Sequence, residues 1–124
     1  MRKLLKGHKV LIVEDAGFVA ADITEILVSA GAEVIAALRL REAQEVAAHA
    51  DLSAAVLDIN LAGAECTGVC EILDERRVPF MFYTGYYHSH VMDRWPRAPV
   101  VLKPALAADL LECVARVVRP VEHA

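Results

Sequence analysis

Five short apolar runs, at 9–15, 32–38, 53–59, 78–85 and 99–104, alternate along the chain with longer segments of helical period. Few folds accept that alternation. Near-continuous apolar runs suit strands buried on both faces, and the long connections between them demand helical crossovers. "KVLIVED" opens the series, and Phe18, Ile23, Ile26 and Leu27 then recur at helical spacing as far as Gly31, a C-terminal stop. "AEVIAAL" is the second strand. In "LREAQEVAAHA" (40–50) a helix turns Glu42, Gln44 and Glu45 outward and Ala43, Val46 and Ala47 inward. "SAAVLDI" is the third strand, ending at Asp58, and "NLAGAE" reads as a loop before a helix over 66–76. "VPFMFYTG" follows, with Pro79 at its start where no ladder donor is needed. A short helix over 87–95, the strand "PVVLKP" and an amphipathic helix over 106–118 complete the chain. The pattern predicts an α/β fold: a doubly wound (βα)5 arrangement of five parallel strands, joined by right-handed crossovers and covered on both faces.

At 124 residues the chain suits a single domain, 1–124, with one core. A hydrophobic share of 56% argues against disorder. Net charge of −4, with both signs spread along the chain, argues against direct nucleic-acid binding. The basic start, Arg2, Lys3, Lys6 and Lys9, hints at a leader or membrane contact. The apolar run behind it is short and is broken by Glu14 and Asp15, and no run is long enough to span a bilayer. A cytoplasmic protein with no membrane contact is expected. Cys66, Cys70 and Cys113 fit reduced, mostly buried thiols. Cys66 and Cys70 lie one helical turn apart, but no histidine joins them at ligand spacing, so core packing is expected over a metal. His88 and His90 lie in a polar stretch that reads as a loop or helix start.

In an open parallel sheet, sites form beyond the carboxyl ends of the strands. There the first strand delivers Glu14 and Asp15, the third Asp58, the fourth Thr84 and the fifth Lys103, while the second delivers only Ala37 and Leu38. If the first and third strands are neighbours, three carboxylates meet. Two of them about 4 Å apart repel by roughly 4 kcal/mol at an effective dielectric near 20, so protons or a cation must relieve the pair. All-oxygen ligation suits Mg²⁺, with Mn²⁺ as the alternative. Such an ion would orient an incoming phosphoryl group for attack by Asp58, with Lys103 and the Thr84 hydroxyl meeting its oxygens. Each residue also has a plainer role: an aspartate as helix cap, Thr-Gly as a turn, Lys-Pro as a strand exit. Their coincidence on one edge of one sheet favours the chemical reading.

"LIVED", "VLDINL", "FYTG" and "VLKP", in this order and at this spacing, resemble the receiver domains of two-component response regulators over essentially the whole chain. The resemblance implies strand order 2-1-3-4-5 and Asp58 as phosphoacceptor. It implies Mg²⁺ held by Asp15 directly, by Glu14 through water and by the backbone carbonyl of Asn60, with Thr84 and Lys103 on the phosphoryl group. It also implies a histidine kinase or phosphotransfer protein as donor, docking on the first helix and the loop after the fifth strand, and a downstream protein as output. Three positions depart from the pattern. Ala62 stands where receivers usually have Pro, Val100 replaces the switch aromatic, and Ala105 replaces a Phe. "DINLAGAE" and "VPFMFYTGYY" are similar to the FATGUY-type stand-alone receivers of alphaproteobacteria, with Tyr83 where the named motif has Ala. Without an aromatic at 100, Tyr86 and Tyr87 are candidates to report the phosphorylated state, or simply to cover the pocket. The expected function is a single-domain response regulator, not a turnover enzyme. The alternatives are a phosphorylation-independent binding module and a receiver cut from a hybrid kinase. A flavodoxin-like cofactor site is disfavoured by the acidic turn "EDAGF", and a phosphatase by Asn60 where a second acid would stand.

Overall fold

The first strand, β1 (Lys9–Val13), pairs in parallel with β2 (Glu33–Ala37) on one side and β3 (Ala54–Leu57) on the other. The computed structural model describes residues 3–120, so Arg2 of the basic start lies outside it. β6 (Phe80–Thr84) continues the sheet from β3, and β7 (Val100–Leu102) closes it in the order β2-β1-β3-β6-β7, all parallel. That is the expected doubly wound order. The helices are α1 (Gly17–Ser29), α2 (Leu40–His49), α3 (Thr67–Glu75), α4 (His90–Arg94) and α5 (Ala107–Val117). Among the described residues no helix is long and apolar enough to cross a membrane.

Side chains alternate across the sheet and build a core on each face. Leu11, Val13, Leu57 and Phe82 meet α2 and α3 on one face. Val10, Ile12, Val56 and Met81 meet α1 and α5 on the other. Each large side chain buried this fully contributes roughly 1.5–3 kcal/mol. Ala43 and Ala47 point inward from α2 as expected, and Cys66 and Cys70 are fully buried with their sulfurs 3.7 Å apart. The α1 stop holds as well. Gly31 has φ +101°, and its N–H donates to the Val28 carbonyl at 2.9 Å.

Three expectations need correction. The strands are shorter than the apolar runs, which continue past the ladder at one or both ends. Phe18, read with Ile23, Ile26 and Leu27 as one helical pattern, is 77% exposed, whereas Ile23 and Leu27 are buried. It lies two and a half turns before Leu27, on the outer face of α1. The segment 60–65 is not an irregular loop: β4 (Asn60–Leu61) and β5 (Ala64–Glu65) form an antiparallel hairpin. Its two central residues, Ala62 (φ 51°) and Gly63 (φ 89°), both have the positive φ of a type I′ turn. Proline cannot take that φ, which explains the departure at position 62.

Candidate functional site

Backbone pairing carries the sequence-selected residues together. Glu14 N–H donates to the Ala37 carbonyl at 3.1 Å, Asp58 N–H to the Val13 carbonyl at 2.9 Å, and Lys103 N–H to the Thr84 carbonyl at 2.8 Å. Each strand exit is therefore locked to its neighbour, and the side chains leave from one edge. Carboxylate oxygens of Glu14, Asp15 and Asp58 all lie within 4.8 Å of one another. Lys103 crosses from β7 to join them. Its ammonium donates to Glu14 Oε1 and, at 3.2 Å, to Asp58 Oδ2.

Burial decides what these charges do. Glu14 is only 2% exposed and both its oxygens are engaged, Oε1 by Lys103 and Oε2 by the Ala16 N–H at 3.2 Å. Asp15 is exposed, and its Oδ2 accepts the Ala62 N–H at 2.9 Å. The hairpin thus clamps one carboxylate of the cluster, a contact that sequence reasoning missed. The signal available was "AG" at the centre of "NLAGAE", a two-residue turn ending in Gly. Asn60 secures the same turn, its Oδ1 accepting the Gly63 N–H at 2.9 Å, while its amide donates to the Tyr86 hydroxyl at 3.2 Å. Thr84 is fully buried and its hydroxyl oxygen accepts the Tyr86 N–H at 3.3 Å. Tyr83 was also missed as a site residue. Its ring lies below the Lys103 ammonium, 5.6 Å from centroid to nitrogen, and its hydroxyl accepts the Ala105 N–H at 3.4 Å. Tyr87, at 87% exposed, covers nothing.

Three carboxylates facing one ammonium leave the cluster with two negative charges in excess. An all-oxygen donor set with that excess fits a divalent cation of the Mg²⁺ class. Glu14, with both oxygens taken, is poorly placed for direct ligation, so Asp15 and Asp58 are the better donors.

Burial pushes the Glu14 carboxyl above its ordinary 4.5, against the lowering pull of Lys103 and the Ala16 N–H. Burial works against the Lys103 charge too. The hydrogen bond to Glu14 and the Asp58 charge outweigh it and raise Lys103 above 10.5. An acid with a raised pKa holds its proton more tightly folded than unfolded. The stability linked to Glu14 is therefore full below pH 4.5 and lost as pH rises through the raised value. That linked to Lys103 is lost only above 10.5. Without divalent ions, urea midpoints should fall as pH rises above 4.5, and Glu14→Gln should flatten that fall. An unchanged slope in Glu14→Gln would assign the fall to other groups.

No protein-family model matches the chain, and no curated protein matches its sequence. Solved structures match its shape. The CheY-like response regulator receiver domain protein of Methanospirillum hungatei is 25% identical, with TM-score 0.81 over 88% of this chain and 91% of that one. The non-phosphorylated HemR receiver domain of Leptospira biflexa is 22% identical, with TM-score 0.80 over 91% of this chain and 98% of its own. The chemotaxis protein CheY4 of Vibrio cholerae, also 22% identical, has TM-score 0.79 over 89% and 98%. The fold is that of response regulator receiver domains.

Proposed function

We propose that this chain is a phosphoacceptor receiver, a single unit over 1–124, in which Asp58 takes a phosphoryl group from the phosphohistidine of a kinase or phosphotransfer protein. The observation that carries the reading is Lys103, reaching from β7 to Asp58 across a cluster that already holds Glu14 and Asp15. In the transfer an Asp58 oxygen forms the new P–O bond as the donor's P–N bond breaks. The departing imidazole nitrogen keeps the electron pair and takes a proton from solvent. Lys103, 3.2 Å from Asp58 Oδ2, meets charge carried in on the phosphoryl oxygens, and the Thr84 hydroxyl supplies a further hydrogen bond. Mg²⁺, or Mn²⁺ in its place, would be held by Asp15, Asp58 and the Asn60 carbonyl, with Glu14 behind water, and would offset phosphoryl charge.

Output runs through protein contacts, not through turnover of a substrate. The face of α4, β7 and α5 is thinly covered, with Val100 41% and Leu106 71% exposed. Tyr86 touches both Thr84 and Asn60, so a shift of Thr84 towards a phosphoryl group would move it. A cytoplasmic location, a sensor histidine kinase or phosphotransfer protein as partner, and membership of the FATGUY-type group belong to the same reading. The second reading, a binding module that works without phosphorylation, draws on exposed Val100, where no aromatic ring is present to turn inward.

Intact mass after incubation with acetyl phosphate separates them. The expected result is one Mg²⁺-dependent phosphoryl addition, absent in Asp58→Asn. A folded protein that gains no phosphoryl group from acetyl phosphate or from a cognate kinase would favour the binding module.

A further inference from the structure

At the other end of the sheet, where β6 and β7 begin, lies a groove of about 650 Å³. Arg77, Arg94, Arg97 and Arg116 line it, with Phe80 and Trp95 contributing an apolar floor. The chain carries a net charge of −4, yet four of its arginines and none of its lysines gather here. Asp74 is the acidic residue of the lining, and its Oδ2 accepts the Trp95 ring N–H at 3.4 Å. Arg94 stacks 4.5 Å from the Trp95 ring centroid and pairs with Glu71 at 3.3 Å, while Arg116 pairs with Glu112. Among the described residues Arg77 and Arg97 make no ion pair.

The backbone gives an independent sign. Arg77 follows α3 with φ 59°, the left-handed position at a helix end where glycine is preferred. A long cationic side chain stands there against local preference, and its backbone N–H is spent on the Asp74 carbonyl at 3.0 Å. Pro79, Pro96 and Pro99 remove N–H donors from the rim. An anion entering the groove therefore meets guanidinium forks, which can pair bidentately with carboxylates, and not a backbone cradle.

We propose that this groove docks an acidic, extended segment of a partner protein, with carboxylates on Arg77 and Arg97 flanking an apolar side chain against Trp95. Nucleic acid is disfavoured because Asp74, Glu71 and Glu112 interrupt the continuous positive surface that a phosphate backbone needs. The groove lies at the opposite end of the strands from Asp58, so a docked segment leaves the acceptor open. The inference does not depend on Asp58 being phosphorylated.

Trp95 is the chain's single tryptophan and reports on the groove directly. The probe is a synthetic peptide in which glutamates flank a Leu-Phe pair, with a glutamine-for-glutamate version as control. The full chain should show a saturable, salt-sensitive change in Trp95 fluorescence with the glutamate peptide alone. Arg97→Glu and Arg77→Gly should each weaken it by about tenfold or more. Arg77→Gly should also unfold at a higher temperature than wild type, which separates lost binding from lost structure. The proposal is overturned if no saturable change occurs, if the glutamine peptide binds equally well, or if both variants bind normally. It also falls if a single-stranded oligonucleotide produces the Trp95 change at lower concentration than the glutamate peptide does.

Discussion

Lys103→Met should slow labelling of Asp58 by acetyl phosphate by about two to three orders of magnitude, the usual cost of removing one preorganised donor to developing charge. The same change should tighten Mg²⁺ binding, because it leaves three carboxylates with no ammonium among them. Slower chemistry with stronger metal binding is a combination that loss of structure would not produce. Stability without metal should drop by about 3 kcal/mol, the low end for breaking a buried pair, since Glu14 would stay buried without its counter-charge while Lys103 is itself 24% exposed. Saturating Mg²⁺ should restore most of that loss. Mass-resolved time courses, calorimetric Mg²⁺ titration and urea unfolding check the three effects. Labelling at the wild-type rate would remove Lys103 from the transfer step.

Ala62→Pro should be among the most damaging single changes outside the core, although receivers usually carry Pro at this place. Proline fixes φ near −65°, whereas Ala62 sits at +51° in the turn. Proline also lacks the N–H that holds Asp15 Oδ2 at 2.9 Å, a bond to a charged group worth about 1.5–3 kcal/mol. The loss of that bond and the broken turn together should cost roughly 3 kcal/mol or more. Asp15 would then be free to move, so Mg²⁺ affinity should fall as well. Ala62→Gly makes the opposite test. It keeps the N–H and relieves the left-handed backbone, and should gain up to about 1 kcal/mol. Equal stability of the Pro and Gly variants would mean that the hairpin does not hold Asp15 in solution.

The strand count, the helix order and the sheet-edge identity of Glu14, Asp15, Asp58, Thr84 and Lys103 were legible in the sequence. Their legibility has a simple cause. Apolar periodicity fixes which residues enter the sheet, and a parallel strand must release its next polar residue at the same edge as its neighbours. Gly31 was legible for the same kind of local reason, since a left-handed helix end calls for glycine. The same rule misleads at Arg77, where a non-glycine residue takes that conformation.

Contacts between segments distant along the chain were not legible. That Lys103 bridges Glu14 and Asp58, 89 and 45 positions away, depends on register across four strands. The clamp from Ala62 onto Asp15 spans 47 positions and uses a backbone N–H, which side-chain identity does not advertise. Phe18 is a different case, because its place two and a half turns before Leu27 already sets it on the outer face of α1. The sequence alone determined the order of elements and the chemistry available at one edge of the sheet, through local rules of period and turn. Which carboxylate is buried, which is clamped and where the ammonium points were decided by tertiary structure, because charge energetics depend on distance and burial, and only packing sets those.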